Sequence, residues 1–189
     1  MKPIAYSKML VSFHDGWDEV QTIHPSIAKT FWLIIMPFSL LPPAMLLYAG
    51  MDHPTAYMSD ALFSQWQDVA VLFLFAELIS VSLMAWAIKQ MALARNIAAD
   101  FKDTFLLAAI TAIPMWLSSL GLVVPNLWFT MTIAALGLVA SASLLYHGIF
   151  AILKLEDEMD AQALSYATFS VGIFVWVVLC TFVIVPLMN

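Results

Sequence analysis

One cysteine, Cys180, is the whole thiol content of this 189-residue chain. No intramolecular disulfide can form from it, and no thiolate cluster can hold a metal. Charge is scarce as well. Only 11% of the residues are Asp, Glu, Lys or Arg, where a soluble domain carries about 25%. Basic residues are the scarcest, seven against 13 acidic, for a net charge of −6. Neutralising a phosphate backbone takes clustered Lys and Arg, so nucleic acid is not an expected partner. A polybasic patch for lipid headgroups is excluded on the same ground.

The signatures of catalysis are missing too. The chain holds no Gly-x-Ser-x-Gly elbow, no His-Glu-x-x-His and no glycine-rich phosphate loop. His14 and His24 fit no ligand spacing, and Asp52-His53 with Asp60 makes only a poor cation site. The twelve methionines are scattered, which suits adaptable packing better than a metal ladder. The expectation is a non-enzymatic protein with no metal and no cofactor. No cleavable signal pattern and no lipidation motif occur, so the first apolar segment is expected to serve as its own insertion signal.

Long apolar runs are what the chain has. It is 63% hydrophobic, with a mean hydropathy of +0.92. Five segments stand out: Thr30–Ala49, Asp68–Lys89, Thr104–Val124, Trp128–Leu153 and Tyr166–Met188. Each has about 20 residues, the number a helix needs to cross a hydrocarbon core of about 30 Å. The seven basic residues are Lys2, Lys8, Lys29, Lys89, Arg95, Lys102 and Lys154. Numbering the loops alternately in and out places all seven on the side of the N-terminus. Cytoplasmic loops retain Lys and Arg, so the pattern predicts N-terminus in and C-terminus out. It also supports the span count, because splitting, merging or losing one segment breaks the seven-to-zero division. The predicted fold class is all-α: a polytopic membrane bundle of five transmembrane helices.

The spans use more than half the chain, so one membrane domain, residues 30–189, is expected after a cytoplasmic segment, residues 1–29. In that segment Ile4, Met9, Leu10, Phe13 and Trp17 suggest one apolar side of a short helix lying on the membrane surface. His24-Pro25-Ser26 predicts a stop followed by a helix start, with Ser26 as the cap. Pro37 and Pro42-Pro43 should bend or break the first span near its outer half, and Pro114 should kink the third. Carbonyls freed in this way must be satisfied or line a cavity. Tyr57 and Trp66, in the outer loop, fit an interfacial aromatic belt.

The fourth span is the richest in small residues. Gly137 and Ser141 form a small-xxx-small pair, and Ala134 and Gly148 extend that side. Small residues let helix backbones approach closely in lipid, so this span is expected at the centre of the bundle. The fifth span, dominated by Val, Ile, Phe and Trp, is expected to face lipid most. The acidic turn Glu156-Asp157-Glu158-Met159-Asp160 before it predicts a solvated connector.

Two ionisable residues fall inside spans. Glu77 lies about 14 Å from the outer end of the second span at about 1.5 Å per residue, close to the midplane. An intramembrane carboxyl is costly and marks a functional site by default; the plainer reading is a protonated Glu bonded to a neighbouring helix. His147 lies about 9 Å from the inner end of the fourth span by the same rise, and its plainer reading is a hydrogen-bonding histidine at a crowded crossing. A Glu77–His147 proton relay would need tilt or a bridging water, since the depths differ.

The stretch from Asp103 to Ala167 carries Phe105 with the small-residue run to Pro114, then Pro125 in the outer turn. Leu144-Leu145-Tyr146 and Gly148 follow at the inner end of the fourth span. With these residues, and with Pro25 before the first span, the chain resembles the bacterial branch of the Yip (Ypt/Rab-interacting protein) family. The resemblance implies a five-span fold in a bacterial inner membrane, with no catalytic residues to carry over. Eukaryotic members act in membrane trafficking and bind prenylated small GTPases through a long N-terminal region. Only 29 residues precede the first span here, and no Asp-Leu-x-Gly-Pro element occurs, which counts against GTPase binding.

The functional expectation is therefore a membrane protein that organises or assists other membrane proteins or lipids, as a homo-oligomer or a subunit. The rival is a small transporter or proton-coupled permease built on Glu77, His147 and the proline-broken spans.

Overall fold

The computed structural model describes residues 17, 25–57, 61–153 and 158–188. Five helices in it are long and apolar enough to cross a membrane: α1 (Ile27–Asp52), α2 (Phe63–Leu93), α3 (Phe101–Val123), α4 (Leu127–Ile152) and α5 (Met159–Met188). No strand occurs among the described residues. The helices outrun the apolar segments: α2 starts at Phe63 rather than Asp68, and α5 takes in the last residues of the acidic run. The end holding the α2–α3 and α4–α5 connections carries Arg95 and is the basic end below. The surface-lying helix expected from Ile4, Met9, Leu10 and Phe13 falls outside the described residues, as do His14, His24 and Asp60.

Local chemistry sets the helix ends. The Ser26 hydroxyl accepts from the Lys29 N–H at 3.3 Å and starts α1, as its position after Pro25 predicts. The Asn126 side chain accepts from the Phe129 N–H at 3.0 Å and starts α4. Gln65 reaches back to the Leu62 N–H at 2.7 Å, half of a capping box for α2. α2 ends on Asn96, which adopts φ 60°. There the Ile97 N–H bonds the Ala92 carbonyl and the Asn96 N–H bonds that of Leu93, both at 3.0 Å. This is a Schellman ending, with Asn in the left-handed position it tolerates better than most residues and Ile97 packed on the core.

The prolines of α1 act at its centre rather than in its outer half. Ahead of Pro37 the backbone widens into a π segment, Phe31–Ile35, where the Met36 N–H reaches the Phe31 carbonyl. The helix breaks at Leu40 and restarts at Leu41, so that Pro42 and Pro43 sit in a first turn whose N–H groups need no helical partner. Pro114 does not stop α3, which stays α-helical to Ser118 before tightening into a 3₁₀ turn, Ser119–Val123.

The centre of the bundle is α3, not α4. Half of the apolar window of α3 is buried inside the protein, against 11% for α4 and 6% for α5. Phe105 to Ile110 are buried without interruption, which means burial on every face of the helix. The small residues of α4 line up on one side and seat it against α3. Gly137 faces Ser118 and the Pro114 carbonyl, and Gly148 faces Leu107. A single small face makes a helix a close neighbour of the centre; the opposite face of α4, with Trp128, Leu136 and Val139, stays exposed. The fifth helix is the least covered, as its Val, Ile and Phe content predicts.

Two aromatic placements depart from the sequence expectation. Trp17 is fully buried against Gly148 and so is not on a surface-lying face. Trp66 is also buried, packed on Gly50 in a small core with Leu46, Ala49, Val69 and Leu187, rather than standing in an interfacial belt. At each contact the bare Cα of a glycine leaves space that the indole occupies and a Cβ would fill. Tyr57 is a tether: its hydroxyl lies 3.0 Å from the carbonyls of both Leu122 and Val124, at the end of α3.

Candidate functional site

Glu77 sits near the middle of α2 and is 5% exposed. Its carboxyl group lies beside the Trp116 indole of α3. Trp116 itself escaped the sequence reading. The available signal was that a tryptophan within an apolar span must find an acceptor for its N–H once buried. The Glu77 oxygen Oε2 is buried and has no partner among the described residues.

Glu77 is among the residues lining a cavity of about 330 Å³. All five helices contribute to the wall, including Leu46 of α1, Phe73 of α2, Leu122 of α3, Ala134 of α4 and Leu179 of α5. A second cavity of about 130 Å³ adjoins it. The two share Ser80, Val81, Ala112 and Met115. The smaller one is lined by Ser141 and Thr168, whose hydroxyl oxygens are also buried and unpartnered. The proline break in α1 feeds this region, since Pro42 lines the larger cavity.

Other hydroxyls along the walls are already engaged. Ser80 donates to the Glu77 carbonyl at 2.8 Å, Thr111 to Ala108 at 3.1 Å and Ser118 to Met115 at 2.7 Å. Ser119 donates to Trp116 at 2.6 Å. Such bonds back along the helix are how Ser and Thr satisfy themselves inside a span.

His147 is elsewhere. Its Nδ1 lies 2.7 Å from the Ser143 carbonyl, one turn back in α4. A carbonyl only accepts, so Nδ1 carries the hydrogen. The ring also meets Tyr146 edge-on at 5.5 Å. His147 is beside Gly148 at the basic end, whereas the α4 wall of the larger cavity is formed by Thr130 and Ala134. Thirteen residues from Ala134 to His147 correspond to about 20 Å of helix. The structure therefore does not bring Glu77 and His147 together, and the relay has no geometric basis. Of the predicted packing residues, Gly137 and Gly148 form the α3–α4 contact, while Ser141 faces the smaller cavity. Among the described residues no three His, Cys, Asp or Glu side chains cluster as metal ligands would.

Residues 8–179 match the Yip1 domain family. Comparisons with curated proteins and with solved structures give no match. Two residues that carry the sequence resemblance fall at close contacts: Gly148 receives Trp17, and the Pro114 carbonyl lies against Gly137. With that match covering most of its length and five membrane-crossing helices, this chain belongs to the Yip family of multi-pass membrane proteins.

Proposed function

We propose that the protein organises or assists other membrane proteins or lipids without catalysing a reaction, working as a homo-oligomer or a subunit. It sits in a bacterial inner membrane with its basic end in the cytoplasm, an orientation supported by the one-sided distribution of Lys and Arg. The observation that carries the reading is the unequal burial of the helices. Half of the apolar window of α3 is buried inside its own chain, whereas only 11% of that of α4 and 6% of that of α5 are buried. Helices in lipid associate through packing and interhelical hydrogen bonds, and α4 still offers small residues such as Ala135 on its open side.

The test is purification in mild detergent from the native membrane, read by native mass spectrometry. A stoichiometric second copy or second membrane protein is expected. Ala135→Trp should release it while leaving the helical content intact. Recovery of the single chain with nothing but lipid, across several detergents, would overturn the reading.

A further inference from the structure

We infer that the seam formed by the two joined cavities holds one acyl chain of a bilayer lipid. The chain enters between α4 and α5 at the end remote from Arg95 and runs toward the basic end. The inference goes beyond the organising role, because a lone protein, an oligomer or a subunit could each hold such a lipid.

The first observation is the length of the seam. Its α4 wall is built by Thr130, Ala134, Leu138, Ser141 and Leu145, which share one face of the helix. From Thr130 to Leu145 is about 22 Å of helix, and the same rise separates Phe73 from Ile88 on α2. On α5 the lining runs from Thr168 to Ile184, about 24 Å. Three helices thus give one column along the bundle rather than a pit. It is longer than one leaflet, which is half of a hydrocarbon core of about 30 Å.

The second observation is that the column is apolar. The hydroxyls of Ser80, Thr111, Ser118 and Ser119 donate to carbonyls of their own helices. Oε2 of Glu77 and the hydroxyl oxygens of Ser141 and Thr168 are fully enclosed, so they offer nothing to a molecule in the seam. Buried water is held by about two to four polar partners, and this wall does not supply them. Left empty, the lining would lack neighbouring atoms on one side and lose their dispersion attraction.

The third observation is the way in and its width. α4 packs chiefly on α3, and α5 on α2, while α4 and α5 touch each other less. Thr130, Ala134, Leu179 and Val183 stay half-buried although they line the larger cavity, and Ile184 beside them is 52% exposed. Bilayer chains reach the seam through this gap. At the far end Ile88 and Leu145 are buried and close it. Because α4 and α5 remain in contact, the gap is narrower than a helix, about 10–12 Å across with its side chains. A hydrocarbon chain is thin enough to enter, and a helix of a second copy is not.

The test uses the full-length protein in phosphatidylcholine nanodiscs doped with phosphatidylcholine that carries a diazirine in one acyl chain, either at mid-chain or near the methyl end. Sites of photolabelling are read by mass spectrometry. The mid-chain probe should label Met115, which lines both cavities, as well as the exposed Phe75. Ala134→Trp, which fills the mouth from a half-buried position, should cut Met115 labelling about tenfold and leave Phe75 labelling and the unfolding temperature unchanged. Gly172→Leu narrows the smaller cavity without a clash, since a Cβ there meets nothing nearer than Met84 Cε at 3.8 Å. It should cut labelling of Met84 by the methyl-end probe about fivefold while the mid-chain probe still labels Met115. Absence of label on Met115 in the parental protein, as a protein helix seated in the seam would cause, would overturn the proposal. So would Met115 labelling unchanged by Ala134→Trp. Fast modification of Cys180, which lines the larger cavity, by a charged water-soluble thiosulfonate would reveal a wet cavity and overturn it as well.

Discussion

The two ends of the bundle are each fastened by a tryptophan pressed onto a glycine, yet the joints differ in kind. At the basic end Trp17 meets Gly148 with the far rim of its ring, beside the terminal methyl of Leu107. At the opposite end Trp66 meets Gly50 with the root of its side chain, Cβ and the adjoining ring carbons. A ring rim can swing away, whereas a Cβ moves only with its helix. The Gly50 joint therefore sets the separation of α1 and α2, and the Gly148 joint sets whether Trp17 is docked. Between lipid-embedded helices there is little hydrophobic drive, so such close approaches carry much of the packing.

The largest effect should come from Gly50→Ala. Its new Cβ would lie 2.6 Å from Cδ2 and 2.7 Å from Cβ of Trp66. Overpacking of this kind costs about 1–3 kcal/mol, and the upper part of that range is expected because the contact cannot rotate away. Thermal unfolding in detergent measures it.

Gly148→Ala should cost less, about 1 kcal/mol at the low end of the same range, although its Cβ would approach Leu107 Cδ1 to 2.5 Å and Trp17 Cζ3 to 2.9 Å. Its distinctive effect is displacement of Trp17. Acrylamide quenching of tryptophan emission should rise in Gly148→Ala and stay at the parental level in Gly50→Ala. Equal behaviour of the two variants would erase the distinction between a separation-setting joint and a docking joint.

Tyr57→Phe sharpens the comparison further. It removes the hydroxyl that ties the α1–α2 loop to the Leu122 and Val124 carbonyls, at a cost of about 0.5–1.5 kcal/mol. The smallest effect belongs to Arg95→Ala at the basic end. Arg95 and Asp160 pair at 3.5 Å with both side chains partly exposed, and such pairs contribute about 0–1 kcal/mol. A loss larger than that of Tyr57→Phe would mean that the basic end relies on charge rather than on the Trp17 joint.

Glu77 illustrates what could and could not be read in advance. Its depth follows from counting along an apolar run, because the helical rise is constant. Its partner Trp116 does not, since it depends on how α2 and α3 rotate against each other. The same holds for His147: residue type and depth made it a candidate, while rotation about the α4 axis and the distance to the larger cavity removed it from the site. The small residues of α4 lie on one side, and one-sided smallness does not make a helix central. Continuous burial from Phe105 to Ile110 is what makes α3 the centre, and an apolar sequence does not distinguish neighbours made of protein from neighbours made of lipid.

By itself the sequence determined the five spans, the Ser26 start and the sparse burial of α5. Each follows from a local or additive property: apolar length against bilayer thickness, a hydroxyl beside a free N–H, the sum of side-chain hydropathies. Only the tertiary structure decided that Trp17 and Trp66 enter the protein, that α3 lies at the centre and that Glu77 lines a cavity. Those depend on which helix faces meet, and in a chain apolar on nearly every face, shape and the placement of a few glycines settle that choice where hydropathy is silent.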